Sequence, residues 1–229
     1  MLKFAGFLEN SFVDWDGKLS AVLFLPGCNF RCGFCHNPEL VSPSESLELR
    51  DEDFVLARID GISDWVDGVV ITGGEPTLHA GLPSFIARLK AKFPVKLDTN
   101  GTNPKMLKEL LDAHLLDYVA MDVKSSFESY PKIVRSEVDV SKIKESISVL
   151  RASSVNYELR TTVIPGIHDQ AEFKKIAALV KGCKRYVLQG FGPHNCLDPA
   201  FCELRPLPPE DLTAFRDYLI SLGIPAVVR

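Results

Sequence analysis

The sequence predicts an α/β protein built as a partial, TIM-like (β/α)6 barrel. Short apolar runs alternate with helical segments six times, which is the pattern of parallel βαβ units. The chain has 229 residues, 46% of them apolar, and can bury one sizeable core, so we expect a single domain over residues 1–229. Because no clear seventh or eighth repeat follows, we expect a barrel that is open on one side.

The predicted strands are largely continuous apolar runs, as expected of strands that are covered on both faces of a parallel sheet. A short hairpin over residues 1–18, with a turn at Asp16-Gly17, is expected to precede the first strand. The six predicted strands span residues 19–25, 69–72, 95–99, 118–122, 157–163 and 186–189.

Amphipathic segments lie between these strands, and we expect them to form helices that lead the chain from the end of one strand to the start of the next. Asn103-Pro104 supplies an N-cap and a first-turn proline to one of them, and Gly223 is the expected stop of the last. The predicted helices span residues 51–65, 82–93, 103–115, 139–152, 173–180 and 209–222, the last lying in a C-terminal helix and tail at 207–229.

Three cysteines lie in the loop that follows the first predicted strand. Cys28, Cys32 and Cys35 are close enough in sequence to wrap a cubic iron–sulfur cluster from one loop. A [4Fe–4S] cube normally takes four thiolates, so three would leave one iron free to bind a small molecule through an amine and a carboxylate. The alternatives are a zinc site completed by His36 and a redox or buried group of thiols, although no second cysteine pair with zinc spacing follows.

The second predicted strand ends at Gly73-Gly74-Glu75-Pro76. Two adjacent glycines allow positive φ and close approach of another molecule to the backbone, and Glu75 supplies a carboxylate acceptor. A glycine turn with a solvated glutamate is the structural alternative. After a three-cysteine loop, the motif favours a binding role.

Charged residues mark the ends of later strands. Asp98 and Asp122 end the third and fourth predicted strands, Lys124 follows shortly after, and Arg160 lies within the fifth. Because the carboxyl ends of barrel strands carry the chemistry, we expect these side chains at the barrel mouth, where a guanidinium suits a carboxylate. Loop capping by the aspartates and an ordinary ion pair or solvent exposure of Arg160 are the alternatives.

These motifs resemble those of radical S-adenosylmethionine enzymes. The segment from Leu25 to Glu39 is similar to their cluster loop, and Phe34 occupies the aromatic position before the third cysteine. The resemblance implies a [4Fe–4S] cluster on Cys28, Cys32 and Cys35, with S-adenosylmethionine on its open iron. Reductive cleavage of that cofactor would give a 5′-deoxyadenosyl radical that takes hydrogen from a substrate.

The resemblance also implies roles for residues around the cofactor. Gly73, Gly74 and Glu75 match the motif that contacts the amino group of its methionine moiety, and Phe34 would present an apolar surface toward its adenine. The partial barrel is typical of the same superfamily. Its open side would admit a large substrate such as a protein loop.

The similarity extends to the glycyl-radical activating enzymes through the stretches Cys35–Leu40, Asp98–Gly101 and Met121–Lys124. The stretch Asn195–Pro199 resembles variants of the activating protein of anaerobic ribonucleoside-triphosphate reductase. This resemblance implies that the hydrogen comes from a glycine Cα of that partner reductase and that a flavodoxin or ferredoxin supplies the electron. No inserted ferredoxin-like domain is present, so one cluster is expected.

In the related formate-lyase activases, the residues that match Asp98 and Asp122 hold a monovalent cation beside the carboxylate of the cofactor. Those that match Lys124 and Arg160 lie near the cofactor. The resemblance therefore implies a cofactor-binding role for these four residues and a monovalent cation at the site. Two other functions stay open: a radical enzyme that acts on a small molecule of the deazapurine or pterin type, and a non-catalytic iron–sulfur carrier or sensor.

The net charge and the cysteine content indicate which partners and which cellular compartment to expect. A net charge of −4, spread without long runs of one sign, does not favour nucleic acid or an anionic membrane. No run approaches the roughly 20 apolar residues of a membrane span, and six cysteines without a secretory signal favour reduced thiols in the cytoplasm. Cys183, Cys196 and Cys202 are expected to be isolated or packing thiols, with a second metal site or a redox pair near the substrate entrance as the alternative.

Overall fold

The computed structural model describes all residues from Met1 to Arg229 as a curved, open sheet of eight strands with helices packed against it. Seven strands are parallel, and one strand at the edge is antiparallel. The strands are β1 (Lys3–Phe4), β2 (Gly6–Ser11), β3 (Ser20–Leu25), β4 (Arg50–Asp51), β5 (Gly68–Gly73), β6 (Val95–Thr99), β7 (Tyr118–Asp122), β8 (Asn156–Val163), β9 (Tyr186–Gly190) and β10 (Ala226–Val228). In the large sheet they are ordered β10-β9-β8-β7-β6-β5-β3-β2, which confirms the partial barrel.

The helices lie between successive strands in the chain and bury their apolar faces in the main core. Asn103 caps one of them by accepting a hydrogen bond from the Met106 N–H at 3.2 Å, as predicted. The helices are α1 (Pro38–Val41), α2 (Glu52–Asp60), α3 (Leu82–Lys90), α4 (Pro104–Asp112), α5 (Tyr130–Val134), α6 (Val140–Ala152), α7 (Gln170–Val180) and α8 (Pro209–Ser221). Short 3-10 turns occur at Pro76–Leu78 and Pro199–Glu203. No helix combines the length and the apolar character that a membrane crossing requires.

Three of the differences from the expectations concern the two ends of the chain and the first long helix. The N-terminal hairpin does not lie within residues 1–18: β2 pairs with β3, and β1 pairs with β4, because residues 12–19 form a long loop instead of a second strand. The helix predicted over 51–65 ends at Asp60, where Gly61 follows at the C-cap. The tail contributes β10, a seventh parallel strand, which pairs with β9 over three residues and is too short to give a periodic signal.

The loop between β2 and β3 folds into the base of the barrel. The Trp15 ring is buried against Val22 and Val70 and lies 6.1 Å from the Tyr118 ring. Asp16 accepts hydrogen bonds from Arg185 at 2.7 Å and from Arg229 at 2.9 Å, although these two arginines lie at the opposite end of the sheet. The loop thus connects the two ends of a sheet whose edge strands do not pair with each other.

Glu158 lies at the centre of this base layer and is 1% exposed. Its carboxylate accepts hydrogen bonds from the Arg229 guanidinium at 3.0 and 3.1 Å and from the Tyr118 hydroxyl at 3.0 Å. A buried carboxylate is stable only when such partners replace its water. The base of the barrel is therefore closed by one aromatic side chain and a fully paired carboxylate.

Candidate functional site

One cavity of about 350 Å³ opens at the carboxyl ends of the parallel strands. This volume is in the ordinary range for a small-molecule site. It is lined by every residue that the sequence predicts for the site: Cys28, Cys32, Phe34, Cys35, Gly73, Gly74, Glu75, Asp98, Asp122, Lys124 and Arg160. The topology thus brings together groups from one loop and four strand ends that are far apart in the chain.

The loop that carries the three cysteines starts directly after β3. Gly27 turns the chain with a φ of +85°, and its N–H donates to the Leu40 carbonyl at 2.7 Å. The Phe30 N–H then points at the Cys28 sulfur at 3.4 Å. A backbone donor aimed at sulfur favours a thiolate or a metal-bound sulfur at this position.

The thiols suit a cluster better than a single metal ion. The ring of His36, the fourth ligand of the zinc alternative, stacks on His194 and Phe191, and its Nε2 lies 2.8 Å from the Gly192 carbonyl oxygen, so the protein already holds this imidazole. A [4Fe–4S] cluster on the three cysteines needs no ligand from His36. Burial raises the pKa of Cys32 to about 12, with the nearby Lys124 ammonium opposing the rise, and metal coordination is the ordinary means of deprotonating such a thiol.

The two glycines of the next turn allow direct contact with the cysteine loop. Gly73 has a φ of +129°, and a Cβ built on Gly74 would lie only 1.9 Å from the Gly27 carbonyl oxygen. The Gly74 N–H donates to the Leu25 carbonyl and the Glu75 N–H to the Gly27 carbonyl, both at 2.8 Å. No side chain fits between these segments, so the glycines fix the spacing of the loop and the turn.

Glu75 is fully buried, and protein donors bind its carboxylate. One oxygen accepts from the Thr77 N–H at 3.0 Å, from the Thr77 hydroxyl and from the Thr99 hydroxyl at 2.7 Å; the other accepts from the Asn100 N–H at 2.6 Å. Burial raises the pKa of Glu75, and these hydrogen bonds oppose the rise. The carboxylate braces the glycine turn against the end of β6, a function that the sequence motif did not reveal.

Four charged side chains form an alternating network at the mouth. The Arg160 guanidinium lies 2.7 Å from one oxygen of Asp122 and 3.1 Å from one of Asp98, and the Lys124 ammonium lies 2.7 Å from the other Asp122 oxygen. Burial alone would raise the pKa of Asp122, but Arg160 and Lys124 hold it well below its usual range. The expectation that these residues lie together is met, with Arg160 between the two aspartates.

Lys96 adds a cation below this network that the sequence analysis did not single out. It is 2% exposed, donates to the Asp14 carbonyl of the base loop, and lies 3.1 Å from the remaining Asp98 oxygen. The last contact is not aligned for a hydrogen bond, which leaves this buried oxygen of Asp98 without one. The signal for Lys96 was a charged residue in a short run of buried strand residues.

Phe34 and Lys124 meet beside the cysteine loop. The Lys124 ammonium lies 5.8 Å from the centre of the Phe34 ring, which is buried and packs against Phe201 at 6.0 Å between centroids.

The backbone of Lys124 is held by His168, whose Nε2 lies 3.0 Å from the Lys124 carbonyl oxygen. The His168 Nδ1 accepts from the Ile164 N–H at 2.9 Å, so Nε2 carries the proton and the imidazole is neutral.

A segment near the C-terminal end of the chain covers the cysteine loop. We call residues 191–203 the cover segment. His36 stacks on His194 at 4.7 Å and on Phe191 at 5.7 Å between ring centroids, and its Nε2 lies 2.8 Å from the Gly192 carbonyl oxygen. The Asn195 side-chain amide donates to the His36 carbonyl at 2.8 Å.

The cover segment also contains two of the three remaining cysteines. Burial and the neighbouring Cys202 raise the pKa of Cys196 to about 11, and the Cys196 Sγ donates a hydrogen bond to the His194 carbonyl at 3.6 Å. Both thiols are free and partly exposed, so the expectation that they are isolated or packing thiols stays a prediction, as does the alternative of a second metal site or a redox pair. Cys183 is buried in the main core, in agreement with a packing role.

The sequence also matches known proteins. A model described as the radical SAM superfamily matches residues 22–180. A candidate glycyl-radical enzyme activating enzyme of Methanocaldococcus jannaschii is 38% identical over 218 residues, which are 90% of this chain and 87% of the relative. A 7-carboxy-7-deazaguanine synthase of Methanothermobacter thermautotrophicus is 30% identical over 162 residues, or 65% of this chain and 63% of that protein.

Two solved structures share the fold. A domain of pyruvate-formate lyase-activating enzyme from Bacteroides vulgatus superposes with a TM-score of 0.58 at 19% identity, over 71% of this chain and 98% of that one. QueE from Escherichia coli gives a TM-score of 0.58 at 14% identity, over 100% of this chain and 93% of its own. At these identities the structural similarity concerns the fold alone.

Proposed function

This chain belongs to the radical SAM superfamily, and we propose that it activates a partner enzyme by generating a glycyl radical on it. The similarity at 38% identity over 90% of the chain to a candidate activating enzyme is the observation that carries the proposal. The superfamily assignment brings a [4Fe–4S] cluster and S-adenosylmethionine with it. Together these supply reductive cleavage of a sulfonium and, through it, hydrogen abstraction from a C–H bond.

Cys28, Cys32 and Cys35 would hold the cluster through three thiolates, and the three line the same cavity. Gly74 lines the same cavity and its carbonyl accepts no hydrogen bond within the protein, so it can accept one from the amine of the methionine moiety. In this proposal the amine of the cofactor is bound by the glycine backbone. Glu75 would then act by holding the turn in place, because its carboxylate is already bound by protein donors.

The charged network would bind the carboxylate end of S-adenosylmethionine. Lys124 and Arg160 supply two cations, and the aspartates that flank Arg160 fix its orientation. A monovalent cation on Asp98 and Asp122 is not required for charge balance in this arrangement, since Arg160 lies between the two carboxylates and Lys96 and Lys124 each contact one of them. We therefore assign to Arg160 the role that a cation has in the formate-lyase activases.

The partner in this proposal is anaerobic ribonucleoside-triphosphate reductase, and a flavodoxin or ferredoxin is the electron donor. The stretch Asn195–Pro199, which resembles variants of the activating protein of that reductase, supports this choice. The open side of the sheet, where β2 and β10 do not pair, gives a protein loop a route toward the cavity. The Phe34 ring beside the cavity would provide an apolar surface for the adenine.

The test is an anaerobic reaction of the reconstituted protein with S-adenosylmethionine, a chemical reductant and the purified reductase. We expect 5′-deoxyadenosine by chromatography and a glycyl-radical signal by electron paramagnetic resonance that depends on the reductase. A reductase in which the radical-bearing glycine is replaced by alanine should give no signal.

Formation of 5′-deoxyadenosine without a radical on the reductase would reject this partner. Conversion of a deazapurine precursor under the same conditions would instead support a synthase, the function that the relative from Methanothermobacter thermautotrophicus favours. Absence of 5′-deoxyadenosine from a cluster-loaded preparation would reject a catalytic role altogether.

A further inference from the structure

Two polar side chains of the cavity have no part in the proposed binding of S-adenosylmethionine. Thr162 on β8 and Gln189 on β9 both line the cavity, and both are half-buried. Neither the Thr162 hydroxyl nor the Gln189 amide makes a hydrogen bond within the protein. Since buried and half-buried polar groups are normally paired, these two are available to a ligand.

The two side chains are neighbours on one face of the sheet. Thr162 and Gln189 are register partners on adjacent parallel strands, whose backbones lie about 5 Å apart. Thr162 follows Arg160 by two residues and therefore faces the cavity one step nearer the strand end. Asn37 and Thr72 also line the cavity without a side-chain hydrogen bond, but no strand register brings those two together.

The chemistry of this pair differs from that of the charged network. A glutamine amide and a threonine hydroxyl each donate and accept hydrogen bonds, and neither carries a charge. Lys124 and Arg160 suit an anion, whereas Thr162 and Gln189 suit a neutral group with a donor and an acceptor close together. The N–H and C=O of one extended peptide residue, which point to the same side of the chain, are such a group.

The position of the pair favours a ligand that enters from the open side of the sheet. Gln189 lies on β9, next to the edge strand β10, and the pairing of β10 with β9 ends at Leu188. The cysteine loop leaves from β3, near the other edge. A protein segment that enters past β10 would therefore meet Gln189 before it reaches the charged network.

We infer that Thr162 and Gln189 bind the backbone of the substrate protein. The Gln189 side chain donates to the carbonyl and accepts from the N–H of one substrate residue, and the Thr162 hydroxyl supplies a further hydrogen bond. The inference rests on the proposed function, since it takes a protein as the substrate. Recognition of the backbone suits a segment whose reacting residue is glycine, because glycine offers no side chain to hold.

The test measures peptide binding without turnover. A fluorescent peptide that spans the radical-bearing glycine of the reductase is titrated anaerobically into cluster-loaded protein with S-adenosylmethionine and no reductant, and binding is followed by anisotropy. Gln189→Leu should bind this peptide roughly 3- to 10-fold more weakly than the wild type, as expected for lost hydrogen bonds between neutral groups. Thr162→Val should also weaken binding, whereas Thr162→Ser keeps the hydroxyl and should bind like the wild type.

Two controls make the test specific. The affinity for S-adenosylmethionine, measured by calorimetry, should be the same in Gln189→Leu and the wild type, which also shows that the variant is folded. Gln170→Leu makes the same substitution at an exposed position at the start of α7, outside the cavity, and should leave the affinity for the peptide unchanged.

A peptide with one backbone amide replaced by an ester identifies the contact itself, because the ester lacks the N–H donor. At one position the ester should weaken binding to the wild type but not to Gln189→Leu, since two changes that remove the same hydrogen bond do not add. Additive effects at every position would overturn the proposal.

Equal peptide affinity in the wild type and Gln189→Leu would also overturn it, and so would a wild type that binds no peptide. An equal loss of affinity for S-adenosylmethionine in Gln189→Leu would show that the pair serves the cofactor instead, and would overturn it as well. A wild type that generates a glycyl radical without dependence on Gln189 rejects this inference alone, whereas a wild type that generates none rejects the proposed function.

Discussion

The mouth and the base of the barrel interior are built by the same strands, yet their chemistry differs. On β8, Arg160 faces the cavity and Glu158, two residues earlier, belongs to the base layer. On β7, Asp122 faces the cavity and Tyr118, four residues and thus two such steps earlier, belongs to the base layer. Residues two apart on a strand point to the same face, so each strand supplies one group to each layer.

The two layers compensate their charges differently. Glu158 in the base is matched by arginines that tie the ends of the sheet together, so its ion pairs contribute to the fold. In the mouth, the Gly74 carbonyl accepts no hydrogen bond within the protein. The layer with unfilled hydrogen-bonding capacity is the one that can bind a ligand, and the fully satisfied layer holds the barrel closed.

The largest effect should come from the cysteine loop. Cys32→Ala removes one of the three proposed thiolates, and we expect the iron content after anaerobic reconstitution to fall from about four per chain to near zero. Cys183→Ala is the matched control, because both side chains belong to residues that are 6% exposed. Retention of a full cluster by Cys32→Ala would remove this cysteine from the ligand set.

The base layer should affect stability more than binding. Trp15→Ala empties the space between Val22, Val70 and Tyr118, and we expect a loss of about 3–5 kcal/mol in the free energy of unfolding by guanidinium titration. Trp65→Ala is the control: this ring is 76% exposed, and its removal should cost less than about 0.5 kcal/mol. Similar losses in both variants would contradict the closing role of Trp15.

Arg160 and Arg185 allow the layers to be compared with one type of side chain. Arg160→Met should weaken binding of S-adenosylmethionine to the cluster-loaded protein by roughly 10- to 100-fold, as expected for losing hydrogen bonds to charged groups. Arg185→Met removes a base contact with Asp16 and should leave that affinity unchanged. Isothermal titration calorimetry measures both, and an equal loss of affinity would show that the layers do not act separately.

His168 should give the smallest effect, seen in the pH dependence of stability. Burial lowers the pKa of His168, so below about pH 6.5 the unfolded chain binds a proton that the folded chain resists. Its contribution to the free energy of unfolding is present at neutral pH and is lost as the pH falls through the folded pKa. In denaturant titrations at several pH values, His168→Asn should flatten the change of the free energy of unfolding with pH, whereas the exposed His114→Asn should not. The same change with pH in both variants would contradict the assignment.

Much of the fold was readable from local patterns. The boundaries of β6 and β7 agree with the predicted runs, since every residue of β6 is buried and turn residues follow both strands. The β10 strand was missed because a strand of three residues is too short to show a periodic pattern of apolar residues. The base loop was missed because Trp15 and Asp16 find their partners only after the two ends of the sheet approach each other.

The sequence predicted which residues line the site better than it predicted what each of them does. Motif spacing and strand ends located every predicted residue on one cavity. The role of Glu75 depends on donors such as Thr99 and Asn100 that only the folded chain brings near, and sequence separation hides this. Lys96 and His168 were overlooked because a single lysine in a strand and a single histidine in a turn give no spacing to interpret.

The closed base has a consequence for the order of events during turnover. With Trp15 and the Glu158 ion pairs blocking the far end, small molecules have to enter and leave through the strand-end mouth or the open side of the sheet, the routes along which a bound partner would also approach in the proposed function. Spent nucleoside and methionine would then be trapped behind a docked partner. Repeated turnover should require the partner to dissociate first, which suits an enzyme that modifies each partner molecule once.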